Sequence, residues 1–167
     1  MPTALDTPLE ELDSQERYFV AQVREYGWMA THVIGDEEGP GFSYTTGFWL
    51  KFRFPEVFLF SLPQKTAHDI FWLIHDQCDA ERLPPIGVPT NDLFRKFPAV
   101  LLPMSVNHYR RHLGQSIWFY RGYDFDCLQL VFPDRKGHFP WSSEPSDEFR
   151  ALQPDLTEGD WAGLCNR

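Results

Sequence analysis

The chain's 167 residues carry 24 acidic and 15 basic side chains, a net charge of −9 that opposes general nucleic-acid binding. A hydrophobic fraction of 43% excludes global disorder. No apolar run approaches the roughly 18 residues that a bilayer span needs, and this length suits one domain.

Residues 1–12 are polar and hold Pro2 and Pro8, so they read as a loose N-terminal arm. Asp13 and Glu16 have capping-box spacing, and Phe19, Val20 and Val23 then share a face. Gly27 is a suitable left-handed stop, so the first helix is predicted over 14–26. Alternation from Trp28 to Ile34 and again from Phe42 to Thr46 predicts two strands of a hairpin around the acidic turn 35–41. Three consecutive acids make that turn a poor phosphate cradle. Lys51 to Pro55 reads as a connection, and Val57 to Ser61 as an apolar central strand.

Ala67, Ile70, Phe71, Ile74 and Cys78 recur at helical spacing, which predicts a second helix over about 63–82, ended by the proline-rich run 83–89. Val100 to Val106 reads as the fourth strand. Asn107 is expected to cap a third helix bearing Tyr109, Leu113, Ile117 and Tyr120 on one face. Cys127 to Phe132 reads as the fifth strand. Beyond Pro133 the chain is expected to be mostly irregular, tacked to the body by Trp141 and Trp161. The expected fold is α+β: a mostly antiparallel sheet of about five or six strands with about three packed helices. The single domain is placed at 13–155, with a C-terminal tail at 156–167.

Charge is unevenly spread. Asp6, Glu10, Glu11, Asp13 and Glu16 precede the first base, Arg17. The stretch from Leu93 to Tyr123 instead holds Arg95, Lys96, Arg110, Arg111 and Arg121 and no acid, a face for an anionic ligand or for acids elsewhere in the fold. Cys78, Cys127 and Cys165 are odd in number and widely spaced, without a C-x-x-C pair. No secretory signal is visible at the start, so a cytoplasmic location is expected.

Several groups are candidates for chemistry. Tyr44 and Thr45 belong to a hydroxyl-rich strand end that closes on Gly47, and Glu56 opens the next strand. Together they suggest either a ligand pocket or a set of cross-strand and cap hydrogen bonds. Asp134, His138 and Trp141 flank the Gly137 turn; the first two suit either an acid–base pair or a structural turn. His108 and His112 stand four apart and supply two ligands of a metal site that would need a third, with Arg110 and Arg111 between them; no metal is expected there. Cys127 lies near Asp124 and Asp126, whose charge would blunt a nucleophilic thiol, so it reads as a buried structural cysteine.

Gly27-Trp28, His32-Val33, Phe42-Ser-Tyr-Thr-Thr-Gly-Phe48 and Pro55-Glu56 are followed by Gln129-Leu-Val-Phe-Pro-Asp134, Gly137, Pro140-Trp141 and Gln153-Pro154. In this order the pieces resemble the bacterial domain-of-unknown-function family four-two-six-two, over about residues 15–155. The family pattern often has a histidine before the Pro-Glu pair, where this chain has Phe54. The resemblance implies a small soluble bacterial protein and no established reaction, cofactor or partner.

The expected function is a non-catalytic module that binds a protein partner or small ligand. The alternative is an enzyme, hydrolase-like or cofactor-dependent, with a polar pocket between the 44–47 strand end and the 134–141 loop. A third reading is flavin or nucleotide binding in a split-barrel-like sheet, with the 93–123 stretch supplying cations. No dinucleotide or P-loop motif indicates a cofactor.

Overall fold

The structure is a computed structural model and describes residues 1–94, 97–161 and 163. Arg95 and Lys96 of the basic stretch, and Cys165, lie outside the described residues. Helix α1 (Ser14–Tyr26) opens with the reciprocal Asp13–Glu16 capping box and closes on Gly27 at φ 86°. Strands β1 (Met29–Val33) and β2 (Phe42–Thr46) follow as an antiparallel hairpin, with Thr31 opposite Tyr44. A one-turn helix α2 (Phe48–Phe52) leads to β3 (Glu56–Phe60), and α3 spans Gln64–Asp79. Then come β4 (Val100–Pro103), α4 (Tyr109–His112), α5 (Gly114–Tyr120), β5 (Cys127–Val131) and α6 (Asp147–Ala151).

Among the described residues the five strands form one sheet in the order β1-β2-β3-β5-β4. The sheet is mixed rather than mostly antiparallel, because β3 and β5 pair in parallel at its centre, Glu56 opposite Cys127. The chain leaves β3 through α3, lays down β4 at the far edge, and returns antiparallel beside it as β5. That route gives β5 the direction of β3. The helix count also exceeds the expected three, with six α-helices among the described residues. The third predicted helix is split at Leu113, whose φ −115° and ψ 40° leave the helical region. Ser105, not Asn107, provides the side-chain cap, accepting from the Asn107 amide at 3.3 Å ahead of α4.

Strand alternation sends side chains to two cores. On one face Phe58, Phe60 and Tyr44 pack with Phe19, Val20 and Val23 of α1 and with Tyr109, Leu113 and Phe119. On the other, Val57, Leu59, Leu128 and Leu130 meet Ala67, Ile70, Phe71, Ile74 and Cys78 of α3. Phe54, just before the Pro55-Glu56 pair, is buried in this second core. Residues 4–11 form two 3₁₀ turns; Thr3 caps the first, and Ala4 and Leu12 are buried against α1. Trp161 packs with Val100, Leu102 and Val131, and Trp141 stacks on Phe139 at 4.7 Å. No described helix is long and apolar enough to cross a membrane.

Candidate functional site

The hydroxyl-rich strand end and Glu56 meet. Thr45 Oγ1 donates to Glu56 Oε1 at 2.7 Å and accepts from the Val57 amide at 3.0 Å. The amides of Gly47, Phe48 and Trp49 donate to the same carboxylate at 2.9, 3.1 and 3.1 Å. These amides open α2, and the first turn of any helix has amide donors without intrahelical partners. Gly47 has no side chain to cap them, so Glu56 does so from the neighbouring strand. Its negative end also suits the positive pole of the helix.

Tyr120, brought in by α5, closes the group. Its Oη donates to Glu56 Oε2 and accepts from the amides of Gly47 and Leu50, both at 3.2 Å. Thr46 Oγ1 and Ser116 Oγ are 2.7 Å apart. Glu56, Thr45, Thr46 and Ser116 are wholly buried. Burial pushes the Glu56 carboxyl above its ordinary value, opposed by the hydrogen bonds from Tyr120, Thr45, Gly47 and Trp49. Burial and the neighbouring Glu56 push the Tyr120 phenol far upward. The polar groups of this knot are spent on one another and on the backbone. Tyr44 is not part of it: its Oη accepts from the Gln115 amide at 3.0 Å.

Asp134 and His138 lie at the opposite end of the sheet. Glu56 stands beside Cys127 at the start of β5, whereas Asp134 follows its end at Val131. The two ends of that strand lie roughly 13 Å apart at the usual strand rise. They do not share a cleft. Asp134 Oδ1 accepts from the amides of Lys136 and His138, both at 2.9 Å, and its own amide donates to the His138 carbonyl at 2.8 Å. His138 Nδ1 stands 3.7 Å from Asp134 Oδ1 and forms no hydrogen bond. This is a turn anchored by its aspartate.

The His138 amide bond, followed by that of Lys136, holds the Asp134 carboxyl below its ordinary 3.8. Its stabilising contribution is therefore complete above that value and is lost as pH falls through the lowered one. Asp134→Ala is expected to lower the Tm by several degrees at pH 7, with the difference shrinking in strong acid. Thermal melts across pH check this; equal Tm values at pH 7 would show that the turn holds without its anchor.

The other candidates are dispersed. His108 and His112 have ring centroids 6.3 Å apart, and His112 Nδ1 is turned to the His108 carbonyl at 3.0 Å. No group of three or more metal-ligating side chains gathers among the described residues. Arg111 reaches the Glu38 carbonyl at 3.4 Å while Arg121 reaches Thr7 Oγ1 at 2.5 Å, so these two cations diverge. Burial pushes the Cys78 thiol up to about 11 and Cys127 well above its ordinary value.

Two features have no clear signal in the sequence. The outer edge of β1 pairs with no strand among the described residues. The opposite edge, β4, is met by residues 87–90 and by Thr157: Gly87 donates to the Leu101 carbonyl at 2.8 Å, and bridges join Thr90 to Ala99 and Met104 to Thr157. Beside β1 lies a groove of about 710 Å³. Met29, Ala30, Thr31 and His32 all line it, with Asp13, Gln15, Glu16 and Tyr18 of the α1 start on one wall and Gly114, Gln115 and Trp118 on the other. Alternate strand residues face opposite sides, so four consecutive ones reach one groove only where it runs along the strand edge.

A family model described as a domain of unknown function, DUF4262, matches residues 22–146. The chain belongs to this family. The match takes in the whole Glu56 knot and the Asp134 turn of this DUF4262 chain, while the α1 wall of the groove precedes it. No match emerges among curated proteins or solved structures.

Proposed function

We propose that this DUF4262 protein is a non-catalytic binding module that takes an extended, basic polypeptide segment along β1. The observation that carries this reading is a strand edge, paired by no strand among the described residues, that runs along a groove. An open edge offers unpaired amides and carbonyls, and proteins usually blunt it with lysine, proline or a covering loop. The β1 sequence Met-Ala-Thr-His-Val has neither lysine nor proline. An added strand gains affinity from main-chain hydrogen bonds and specificity from alternate side chains.

The groove wall gives the sign of the partner's charge. Asp13 and Glu16 line it, and among the described residues neither lysine nor arginine does. With the chain at −9, a basic segment is attracted at long range as well. The buried state of the Glu56 knot supports a binding role over turnover, since its carboxylate has no open face toward a substrate. Buried free thiols at Cys78 and Cys127 suit a reducing cytoplasmic setting.

Selection from a random peptide library on the immobilised chain, followed by amide-shift mapping with a selected peptide, tests the reading. Enrichment of lysine or arginine at alternate positions is expected, with shifts concentrated in residues 13–18 and 29–33. Gln15→Lys with Tyr18→Lys, both exposed, should weaken that peptide at least about tenfold, a loss expected from like charge at an interface, and leave the Tm unchanged. Shifts confined to other surfaces would overturn the proposal. So would a concentration-dependent dimer joined through β1, which would make the edge a self-interface.

A further inference from the structure

A second cleft, of about 500 Å³, opens on the α5 side of the sheet. The 35–41 turn forms one wall, α4 a second, and Pro154, Asp155 and Leu156 a third. Phe42 and Phe60 line its apolar part together with His112.

His112 is the informative group. Its Nδ1 lies 3.0 Å from the His108 carbonyl oxygen. A carbonyl only accepts, so Nδ1 bears the proton. In the neutral ring this leaves Nε2 as an acceptor, and it has no hydrogen-bond partner among the described residues. The rings of Phe42, Phe58 and Phe60, with centroids 5.3, 5.5 and 5.9 Å away, fix its position. Burial lowers the affinity of this imidazole for a second proton, against the pull of the His108 carbonyl. The neighbouring charges of Arg111 and His108 lower it further.

An unused acceptor in an apolar wall discriminates between ligands. A ring with an N–H or O–H satisfies it, whereas an all-carbon ring of the same shape leaves it unpaired in a desolvated place. The charges around the cleft add a second requirement. Asp36, Glu38 and Asp155 line it with His108. Asp155 already accepts from the Thr157 amide and hydroxyl and from the Trp161 amide. Arg111, the one arginine there among the described residues, is directed to the Glu38 carbonyl. An ammonium group is favoured among those carboxylates, and the phenylalanine faces favour a cation as well.

We propose that this cleft binds a small aromatic amine, an indole or phenol ring with a short ammonium arm. The ring packs on Phe42 and Phe60, its N–H or O–H donates to His112 Nε2, and the ammonium sits among Asp36, Glu38 and Asp155. This site is separate from the β1 groove and stands without the peptide reading.

Calorimetric titration with two matched pairs tests it: tyramine against 2-phenylethylamine, and tryptamine against its ring-N-methyl derivative. The donor-bearing member of each pair should bind about tenfold tighter, the scale of one buried hydrogen bond. His112→Phe keeps a ring without the acceptor and should erase the difference within each pair. Exposed Glu38→Gln should weaken both members of a pair equally. Nitrogen-15 shifts of the histidine rings give an answer on the unaltered chain, whatever the fate of the His112 variant. The His112 Nε2 signal should move with tyramine and stay with 2-phenylethylamine. Equal affinities within the pairs, no saturable binding of any of the four, or a His112→Phe protein that still discriminates would overturn the proposal.

Discussion

Glu56→Ala should cost the fold about 3–5 kcal/mol, the range for removing one partner from a buried charged network. The carboxylate accepts from three backbone amides and two hydroxyls. The hydroxyls of Thr45 and Tyr120 can turn to other acceptors. The amides of Phe48 and Trp49 cannot, whereas that of Gly47 keeps Tyr120 Oη at 3.2 Å; each buried donor left unpaired costs about 1–3 kcal/mol. Relief from burying a carboxylate offsets part of that sum. Against a usual total stability of about 5–15 kcal/mol, the variant should be marginal. Urea denaturation followed by circular dichroism measures it. Glu56→Gln keeps one accepting oxygen but turns an NH₂ group toward donors, so it should fall between alanine and Tyr120→Phe. A loss below about 1 kcal/mol for Glu56→Ala would mean that water replaces the carboxylate at little cost. The knot would then be an accessible pocket, and the case for a ligand at Glu56 would return.

Much of the fold is legible in local pattern. Alternation and helical spacing place the five strands, α1 and α3, because each has a signal within its own residues. The Asp13–Glu16 box and the Gly27 stop are likewise written within a few positions of one another. The central parallel pairing is not, since it depends on which strand returns beside β3 after nearly seventy residues. Helix α2 is equally silent: its cap comes from Glu56 on the next strand, while its own N-cap position is a glycine. The break at Leu113 also lacks a local breaker, since the glycine behind it opens α5.

The candidate residues divide the same way. Thr45 and Glu56 are joined across a short loop, and their mutual bond is within reach of sequence reasoning. Tyr120, the other hydroxyl on Glu56, is distant in the chain and gives only a helical-face signal. The 134–141 turn has the composition of a site and the hydrogen bonds of a loop anchor. Which end of the sheet it occupies depends on strand direction, so the sequence pattern alone does not separate it from Glu56.

Gly47→Ala should destabilise the protein by about 3–5 kcal/mol, combining backbone strain with a steric clash. Gly47 has φ +123°, outside the left-handed well that other residues tolerate. A Cβ there would collide with the Gly27 carbonyl oxygen and lie 2.7 Å from Trp28 Cα. Both are backbone atoms, so no flexible side-chain end can yield. Gly137→Ala is the matched control: it too has positive φ, at +88°, but nothing lies within 4 Å of its added Cβ. It should show backbone strain alone, about 1 kcal/mol. The excess at position 47 then measures the close approach of the α1–β1 and β2–α2 turns. That approach also aims the Gly47 amide at Glu56, which makes the two positions one device. The double variant Gly47→Ala with Glu56→Ala should therefore cost less than the sum of its parts, because displacing the turn already weakens the cap. Strict additivity in urea denaturation would separate them, leaving Gly47 as a packing glycine and Glu56 as an independent cap.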